Sequence, residues 1–263
     1  MPETILVEHH APFVTITLNR PDVRNAMSQQ MVVEIREAIE ALNDNRAIRA
    51  IIITGAGKTF CAGGDLKEMQ SSFAESDEQE HQRTAQLDAM LQAVQNAPQV
   101  VIAKINGAAM GGGFGLVCVS DVAVSADHVM FAMPEVRLGI VPAVISPYVI
   151  NRIGLTHARR MMLIGDPCTP QQAVEYGLVH EICPADQLDE RVQAILDQIQ
   201  LASPHALAAC KELIFHVMER EIAETTEYRT QLLNTLRRGE SGQEGMRSFI
   251  EKRKPHWTEG EPS

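Results

Sequence analysis

Two glycine clusters and one glutamate have the residue types and spacing of a site that stabilises a developing negative charge. Glycines fill positions 111–113, ahead of an apolar run, and positions 63–64. A glycine turn that opens a helix leaves unpaired N–H groups at the positive end of the helix dipole, where they can hold a negative oxygen. Glu135 stands among apolar neighbours, where its carboxyl group can move a proton. Close helix packing for the glycines and a solvated turn for Glu135 are the plainer interpretations, and spacing alone leaves them open.

Apolar strands and amphipathic helices must hold these residues in place. Ser28 is predicted to cap a helix that runs to about Asn45, because the apolar residues after it fall on one helical face. Asp65 and Glu68 have the spacing of a capping box for a further helix. Period-two and fully apolar patterns predict strands at residues 4–8, 13–18, 50–54, 100–105 and 178–182.

Residues 71–86 are polar and charged, and they predict a mobile loop that runs into a helix ending near Asn96. The stretch carries no catalytic motif. Later helices are predicted at residues 143–150 and 156–163, on either side of a glycine, and a short turn or helix at 170–174.

Residues 186–263 are almost all helical by their apolar period. One helix is predicted to start at residues 203–204 and another to cover 219–236. Ser241 and Glu244 have the spacing of a capping box for the last helix. The basic residues 252–254 follow, and a solvated charge run is the plainer interpretation of them.

Composition narrows the possible functions. With 263 residues, 45% of them hydrophobic, the chain can bury a large core, and no apolar run is long enough to cross a bilayer. A net charge of −11 argues against binding to nucleic acid or to an anionic membrane. The five cysteines form no CxxC pair and the nine histidines no HExxH motif, so we expect no disulfide framework and no metal site. A reducing cytoplasm is the expected location.

The chain resembles the enoyl-CoA hydratase/isomerase (crotonase) family. The resemblance is carried by NGAAMGGGFGL at residues 106–116, SDVAVSA at 120–126 and FAMPEVRLGIVP at 131–142, and it extends over nearly the whole chain. It implies an α/β fold with a crotonase (ClpP-like) ββα spiral core and acyl-CoA site over residues 1–200. It also implies a C-terminal helical region, 201–263, that packs against other copies in a homotrimer or dimer of trimers.

The same resemblance assigns a role to individual residues. Glu135 would be the general acid/base, while the N–H groups of Gly64 and Gly112 would hold the thioester oxygen as it gains negative charge. No separate cofactor is implied, because coenzyme A is part of the acyl-CoA substrate. The substrate-binding positions that it implies are Ala26, Ala62, Gly64, Asp65, Leu66, Lys67, Gly112, Phe249 and Lys252.

Two positions depart from the family pattern. Gly115 stands where hydratases with two catalytic carboxylates carry a glutamate, and AVIS at 143–146 replaces a Gly-x-Gly-Gly loop. Glu135 must therefore act alone, through water, or with a residue that the motif does not reveal. GGGFGLVCVSDVA and LGIVPAVISPYV are most similar to the branch that hydrates 3-methylglutaconyl-CoA and isohexenylglutaconyl-CoA.

Three functions remain possible from the sequence. The first is hydration of the 2,3 double bond of an enoyl-CoA, with a branched glutaconyl thioester as the implied substrate. The second is Δ3-Δ2-enoyl-CoA isomerisation, which one carboxylate can carry out by moving a single proton between carbons. The third is a non-catalytic protein that binds acyl-CoA or RNA, as some family members are described to do.

Overall fold

A computed structural model describes residues 2–74, 76–218 and 220–258. The chain builds two sheets in alternation. Its strands are β1 (Ile5–His10), β2 (Phe13–Leu18), β3 (Ala50–Gly55), β4 (Thr59–Cys61), β5 (Val100–Ile105), β6 (Ala108–Met110), β7 (Val122–Ala126), β8 (Phe131–Ala132) and β9 (Glu181–Cys183). The larger sheet has the order β1-β2-β3-β5-β7-β9, and the smaller one has the order β4-β6-β8. Among the strands of the described residues, β1 and β2 pair antiparallel, and the other neighbouring strands pair parallel.

The helices between and after the strands are α1 (Gln29–Glu40), α2 (Leu66–Ser71), α3 (Asp77–Asn96), α4 (Gly112–Val119), α5 (Ser146–Ile164), α6 (Pro170–Glu175), α7 (Leu188–Gln200), α8 (Pro204–Met218), α9 (Thr226–Arg238) and α10 (Glu240–Ile250). Three successive segments of the chain repeat one pattern, in which a strand of the large sheet is followed by a strand of the small sheet and then by a helix. The α/β class and the ββα spiral implied by the resemblance are confirmed.

Helix α4 lies in the centre of the core. Every residue of α4 after Gly112 is buried, as are all six residues of β3. Phe60, Phe114 and Phe131 have no exposed surface and join the small sheet to α4. Burial on all sides fixes the start of α4 relative to both sheets, which is what an accurately placed backbone donor needs.

Several helices and strands begin or end at residues other than those predicted from the sequence. Ser28 caps α1 as predicted, but α1 ends at Glu40 rather than near Asn45. The charged stretch 71–86 is mostly helical, because Ser76 forms a capping box with Gln79 and starts α3 at Asp77. Strand β1 is shifted toward the following turn, and the last strand covers 181–183 rather than 178–182.

Both predicted capping boxes are wrong, the first in its second half and the other in both halves. Asp65 caps α2 by accepting from the N–H groups of residues 67 and 68, but the Glu68 carboxylate accepts from Gln29 N at 2.8 Å instead of reaching back. Ser241 lies inside α10, which begins one residue earlier. The Glu244 carboxylate binds the guanidinium of Arg253 at 2.6 and 2.8 Å.

The C-terminal helices carry large apolar side chains that are exposed, whereas the apolar side chains of the core are buried. Helix α9 begins at residue 226, not at 219, which lies outside the described residues. The tail after α10 returns to its own core, where Arg49 donates to the Trp257 carbonyl at 2.8 Å and Trp257 Nε1 donates to the Leu201 carbonyl at 3.1 Å. Among the basic residues 252–254, Arg253 forms an ion pair with the Glu244 carboxylate. In the described part of the chain, no helix is long and apolar enough to span a membrane.

Candidate active site

The two glycine loops predicted from the sequence meet in the folded chain. A Cβ atom added to Gly111 would lie 3.6 Å from the Cα atom of Gly63, and one added to Gly63 would lie 3.2 Å from the Met110 carbonyl oxygen. Both glycines have positive φ angles, +48° and +95°, which residues with side chains rarely adopt. Glycine at both positions therefore lets the two loops come into backbone contact.

Local hydrogen bonds orient the backbone on either side of Gly64. The Met27 N–H donates to the Gly63 carbonyl at 2.7 Å, and the Asp65 N–H donates to the Met27 carbonyl at 3.0 Å. The N–H group of Gly64 takes no part in these hydrogen bonds. Gly112 is the first residue of α4, where helix geometry supplies no acceptor. Among the described residues, neither the Gly64 nor the Gly112 N–H has a hydrogen-bond acceptor.

Glu135 follows β8 and opens a 3-10 turn, Glu135–Leu138. Its Oε1 atom lies against Gly111, beside the start of α4. Its Oε2 atom is buried and has no hydrogen-bond partner among the described residues. Burial raises the pKa of the Glu135 carboxyl group, and a hydrogen bond from its own backbone N–H offsets this only partly. A carboxylate in this state is ready to accept a proton from a bound molecule.

Asp65 has a different environment and a different task. Its carboxylate pairs with the Arg20 guanidinium at 2.9 Å and caps α2. Burial by itself would raise the pKa of Asp65, but the Arg20 guanidinium and the backbone N–H groups of α2 outweigh burial and lower the pKa. Asp65 therefore stays ionised and holds the first glycine loop in position rather than exchanging protons.

One cleft of about 570 Å³ contains the predicted catalytic centre. Gly64, Gly112 and Glu135 all line it. Of the other predicted substrate-binding residues, Ala62, Asp65 and Leu66 line it as well, whereas Ala26, Lys67, Phe249 and Lys252 do not. Phe249 lies on α10 with 86% of its surface exposed. In a single chain, the cleft therefore contains the predicted catalytic residues but neither of the predicted C-terminal substrate-binding residues.

One wall of the cleft consists of residues of α3 that were not singled out from the sequence. Glu80, Arg83 and Thr84 lie in the stretch 71–86, which was predicted to run from a loop into a helix, and Leu87 follows directly after it. Their spacing is that of one helical face, which is the signal that could have found them. Arg137, two residues after Glu135, lines the cleft as well.

The two departures from the family pattern are in contact with each other. A Cβ atom added to Gly115 would lie 2.6 Å from Ile145 Cγ2 and 3.8 Å from Leu91 Cδ2. The first distance is shorter than two non-bonded carbon atoms can approach. Ile145 is itself buried and lines the cleft. The space that a glutamate at position 115 would need is therefore filled by an aliphatic side chain.

The ββα spiral, the paired glycine loops and the buried glutamate define a known class of acyl-CoA enzymes. A family model described as "Enoyl-CoA hydratase/isomerase" matches residues 8–260, and the chain belongs to this family. The solved structure of Pseudomonas aeruginosa AtuE is 41% identical, with a TM-score of 0.95 over 97% of this chain and 100% of that one.

Two further relatives are similar over nearly their whole length. The probable enoyl-CoA hydratase echA8 of Mycobacterium bovis is 36% identical over 258 residues, which is 97% of this chain and 98% of the relative. The 2,3-dehydroadipyl-CoA hydratase of Escherichia coli is 34% identical over 254 residues, which is 95% of this chain and 97% of the relative.

Proposed function

We propose that this protein is an enoyl-CoA hydratase, a hydro-lyase that adds water across the 2,3 double bond of an acyl-CoA thioester. The observation that carries the proposal is the meeting, in one cleft, of two unpaired backbone N–H groups and an unpaired buried carboxylate oxygen, at Gly64, Gly112 and Glu135. Donors aimed at a developing oxyanion, beside a group that can exchange a proton, are what conjugate addition to a thioester requires.

The mechanism follows from these three groups. The thioester carbonyl oxygen accepts hydrogen bonds from Gly64 and Gly112, so negative charge gathers there when water adds to C3. Glu135 takes a proton from the attacking water, and a new C–O bond forms while the C2–C3 π electrons move toward the thioester. Glu135 then returns a proton to C2, so that one H and one OH have been added and the carboxylate is regenerated.

We further propose a branched glutaconyl thioester as substrate, either 3-methylglutaconyl-CoA or isohexenylglutaconyl-CoA. The segments 111–123 and 138–149, which resemble that branch, support this choice. The E. coli relative, named for a dehydroadipyl thioester, also acts on a substrate with a second carboxyl group.

A second candidate is Δ3-Δ2-enoyl-CoA isomerisation, which the contact between Gly115 and Ile145 favours. Isomerisation needs only one carboxylate, which moves a proton from C2 to C4. Hydratases with two catalytic carboxylates use both of them to activate the attacking water. Non-catalytic binding of acyl-CoA or RNA is the third possibility, and the net charge of −11 disfavours RNA.

Steady-state assays with matched 2-enoyl and 3-enoyl thioesters separate these functions. We expect the 2-enoyl substrates to be hydrated, with loss of the conjugated thioester absorbance and with activity that depends on Glu135. Conversion of 3-enoyl to 2-enoyl thioesters without hydration would establish the isomerase instead. Tight binding of acyl-CoA without any turnover would leave only the binding protein.

We propose a homotrimer or a dimer of trimers, built through the region 201–263, with the core over 1–200. Large apolar side chains on this region are exposed in a single chain, which is costly in water. In the assembly, Phe249 and Lys252 would cover the coenzyme A of a neighbouring copy. Sedimentation at micromolar concentration tests the proposal, and a monodisperse monomer would refute it. The exposed side chains are Leu201, Ile214, Met218, Ile222, Leu233, Met246, Phe249 and Ile250.

We also propose that the protein works in a reducing cytoplasm. Four of its five cysteines are buried as free thiols and one is exposed. Burial raises the pKa of the Cys61 and Cys118 thiols to about 12, so these two stay protonated and inert.

A further inference from the structure

Two methionine thioethers lie beside the two glycines whose N–H groups have no acceptor among the described residues. The Met69 Sδ atom would lie 3.2 Å from a Cβ atom added to Gly64. The Met27 Sδ atom would lie 3.2 Å from a Cβ atom added to Gly112. Both methionines line the cleft that contains Glu135. Each residue that is expected to hold the thioester oxygen therefore has a sulfur atom next to it.

The two thioethers differ in their access to solvent. Met69, on the short helix α2, has 38% of its surface exposed, whereas Met27 has 6%. The backbone of Met27 is also fixed, because its N–H donates to the Gly63 carbonyl at 2.7 Å and its carbonyl accepts from the Asp65 N–H at 3.0 Å. Met69 is thus the thioether of this pair that a small solute in the cleft can reach.

Oxidation by a hydroperoxide would convert the Met69 thioether into a sulfoxide. The lone pair on sulfur attacks one peroxide oxygen, an S–O bond forms and the O–O bond breaks. The proton on the transferred oxygen passes to the other oxygen, which leaves as water or as an alcohol. Sulfur is oxidised by two electrons and the hydroperoxide is reduced by two. The side chain then carries a polar oxygen that accepts hydrogen bonds, as the carbonyl oxygen of a thioester does.

We propose that Met69 is an oxidation site whose sulfoxide inhibits the enzyme, because its oxygen accepts a hydrogen bond from the Gly64 N–H in place of the substrate. This inference rests on the proposed function, since it takes the Gly64 N–H to be a donor to the thioester oxygen. Methionine has three rotatable bonds, so the new oxygen can turn toward this N–H without a shift of α2. Sulfoxides are reduced enzymatically, so the inhibition is reversible.

The test treats the protein with hydrogen peroxide in a Cys210→Ser background, because Cys210 is an exposed thiol that would also react. Met69→Leu removes the thioether and keeps an apolar side chain. Met218→Leu is the matched control, because Met218 is more exposed than Met69 but does not line the cleft. Peptide mass spectrometry measures the oxidation of each methionine. The kcat/KM of each protein on a 2-enoyl thioester is compared with its own value before treatment.

Oxidised protein should lose about tenfold or more in kcat/KM, since loss of one oxyanion donor costs roughly 10²–10³. Met218→Leu should lose as much, whereas Met69→Leu should lose less than about twofold, because its Gly64 N–H stays open to the substrate. Free coenzyme A has no acyl oxygen, so it should bind treated and untreated protein with equal affinity. Methionine sulfoxide reductases for both epimers should restore activity.

A crystal structure of the oxidised protein tests the geometry without any assay, and it should place the sulfoxide oxygen within about 3.2 Å of the Gly64 nitrogen. A sulfoxide oxygen turned away from Gly64 would overturn the proposal. So would equal inactivation of Met69→Leu, full activity with Met69 oxidised, or a Met69 that stays reduced while Met218 is oxidised, and the hydratase proposal would stand in each case. If the untreated enzyme hydrates no 2-enoyl thioester, the proposed function fails, and the crystal structure still decides whether the sulfoxide binds the Gly64 N–H.

Discussion

The Glu135 carboxylate lies beside Gly111, in space that a side chain at that position would narrow. A Cβ atom at position 111 would lie 3.0 Å from Glu135 Oε1 and 3.7 Å from Glu135 Cδ. The same glycine has a φ angle of +48° and is the N-cap of α4. One residue thus shapes both the turn that presents a backbone donor and the space that receives the proton-transfer group.

We therefore expect Gly111→Ala to displace the Glu135 carboxylate and to lower kcat by about tenfold or more, within the range seen when a general acid/base is misplaced. Gly154→Ala is the matched control, since Gly154 also has a positive φ angle, +70°, but has no atom within 4 Å of an added Cβ. Both variants should lose similar stability in urea unfolding, and only the first should lose turnover. Equal kcat values for the two variants would contradict the account.

Replacing Gly64 or Gly112 by proline removes one N–H donor from the thioester oxygen. We expect a loss of roughly 10²–10³ in kcat for each, with coenzyme A binding largely kept. Proline fits the first position of a helix, so Gly112→Pro should retain α4. Gly112→Ala keeps the N–H and meets only the flexible Met27 thioether at 3.2 Å, so it should keep most activity. A folded Gly112→Pro enzyme with normal turnover would end the oxyanion assignment.

Glu135→Gln keeps the size of the side chain but cannot accept a proton. Turnover should fall by about 10²–10⁴, while thioester affinity changes little. Isothermal titration with a saturated acyl-CoA and steady-state assays on the same preparation check both halves. Near-normal activity on every enoyl thioester would place the proton donor elsewhere in the cleft.

The same substitution should change how stability depends on pH. Burial raises the folded-state pKa of Glu135, so the protonated form favours folding below the unfolded-state pKa of about 4.3, and that advantage is lost as pH rises through the folded-state value. Glu135→Gln should therefore stabilise the protein more at pH 8 than at pH 4. Urea unfolding of both proteins across this range measures the difference. A constant difference would mean that the carboxyl group is not desolvated.

Gly115→Glu should destabilise the protein without raising hydration of crotonyl-CoA, because Ile145 already fills the place of the new side chain. Overpacking of this kind costs typically about 1–3 kcal/mol. The double variant Gly115→Glu with Ile145→Gly should recover part of that loss and should admit the carboxylate to the cleft. A double-mutant cycle in urea tests the coupling, and strictly additive effects would show that the two positions are independent.

The residues of the candidate site could be picked out from the sequence because their signals are local, and the structure brings Gly64, Gly112 and Glu135 into one cleft. The three glycines at residues 111–113 indicate a turn by composition alone. Ser28 and Asp65 cap their helices, as their residue types predict. The glutamates at 68 and 244 were misassigned because their partners, Gln29 and Arg253, are brought to them by packing rather than by the three-residue spacing of a box.

Contacts between distant segments were the part that could not be predicted. Nothing in the period of α4 shows that Ile145, thirty residues later, touches Gly115. Arg83 was hidden for another reason. The charged residues around it are typical of a solvated loop, and its role as a wall of the cleft depends on α3 lying beside α1 and α4.

The unpaired N–H groups of Gly64 and Gly112 also have a spectroscopic consequence. Amide protons without an acceptor exchange with solvent deuterium far faster than those in helices and sheets. In the unliganded protein these two amides should exchange quickly, whereas the buried and hydrogen-bonded amides of β4, β6 and α4 should be among the slowest. A thioester bound in the cleft would slow these two amides selectively, so that two nuclear resonances would report where its carbonyl oxygen lies without any turnover at all.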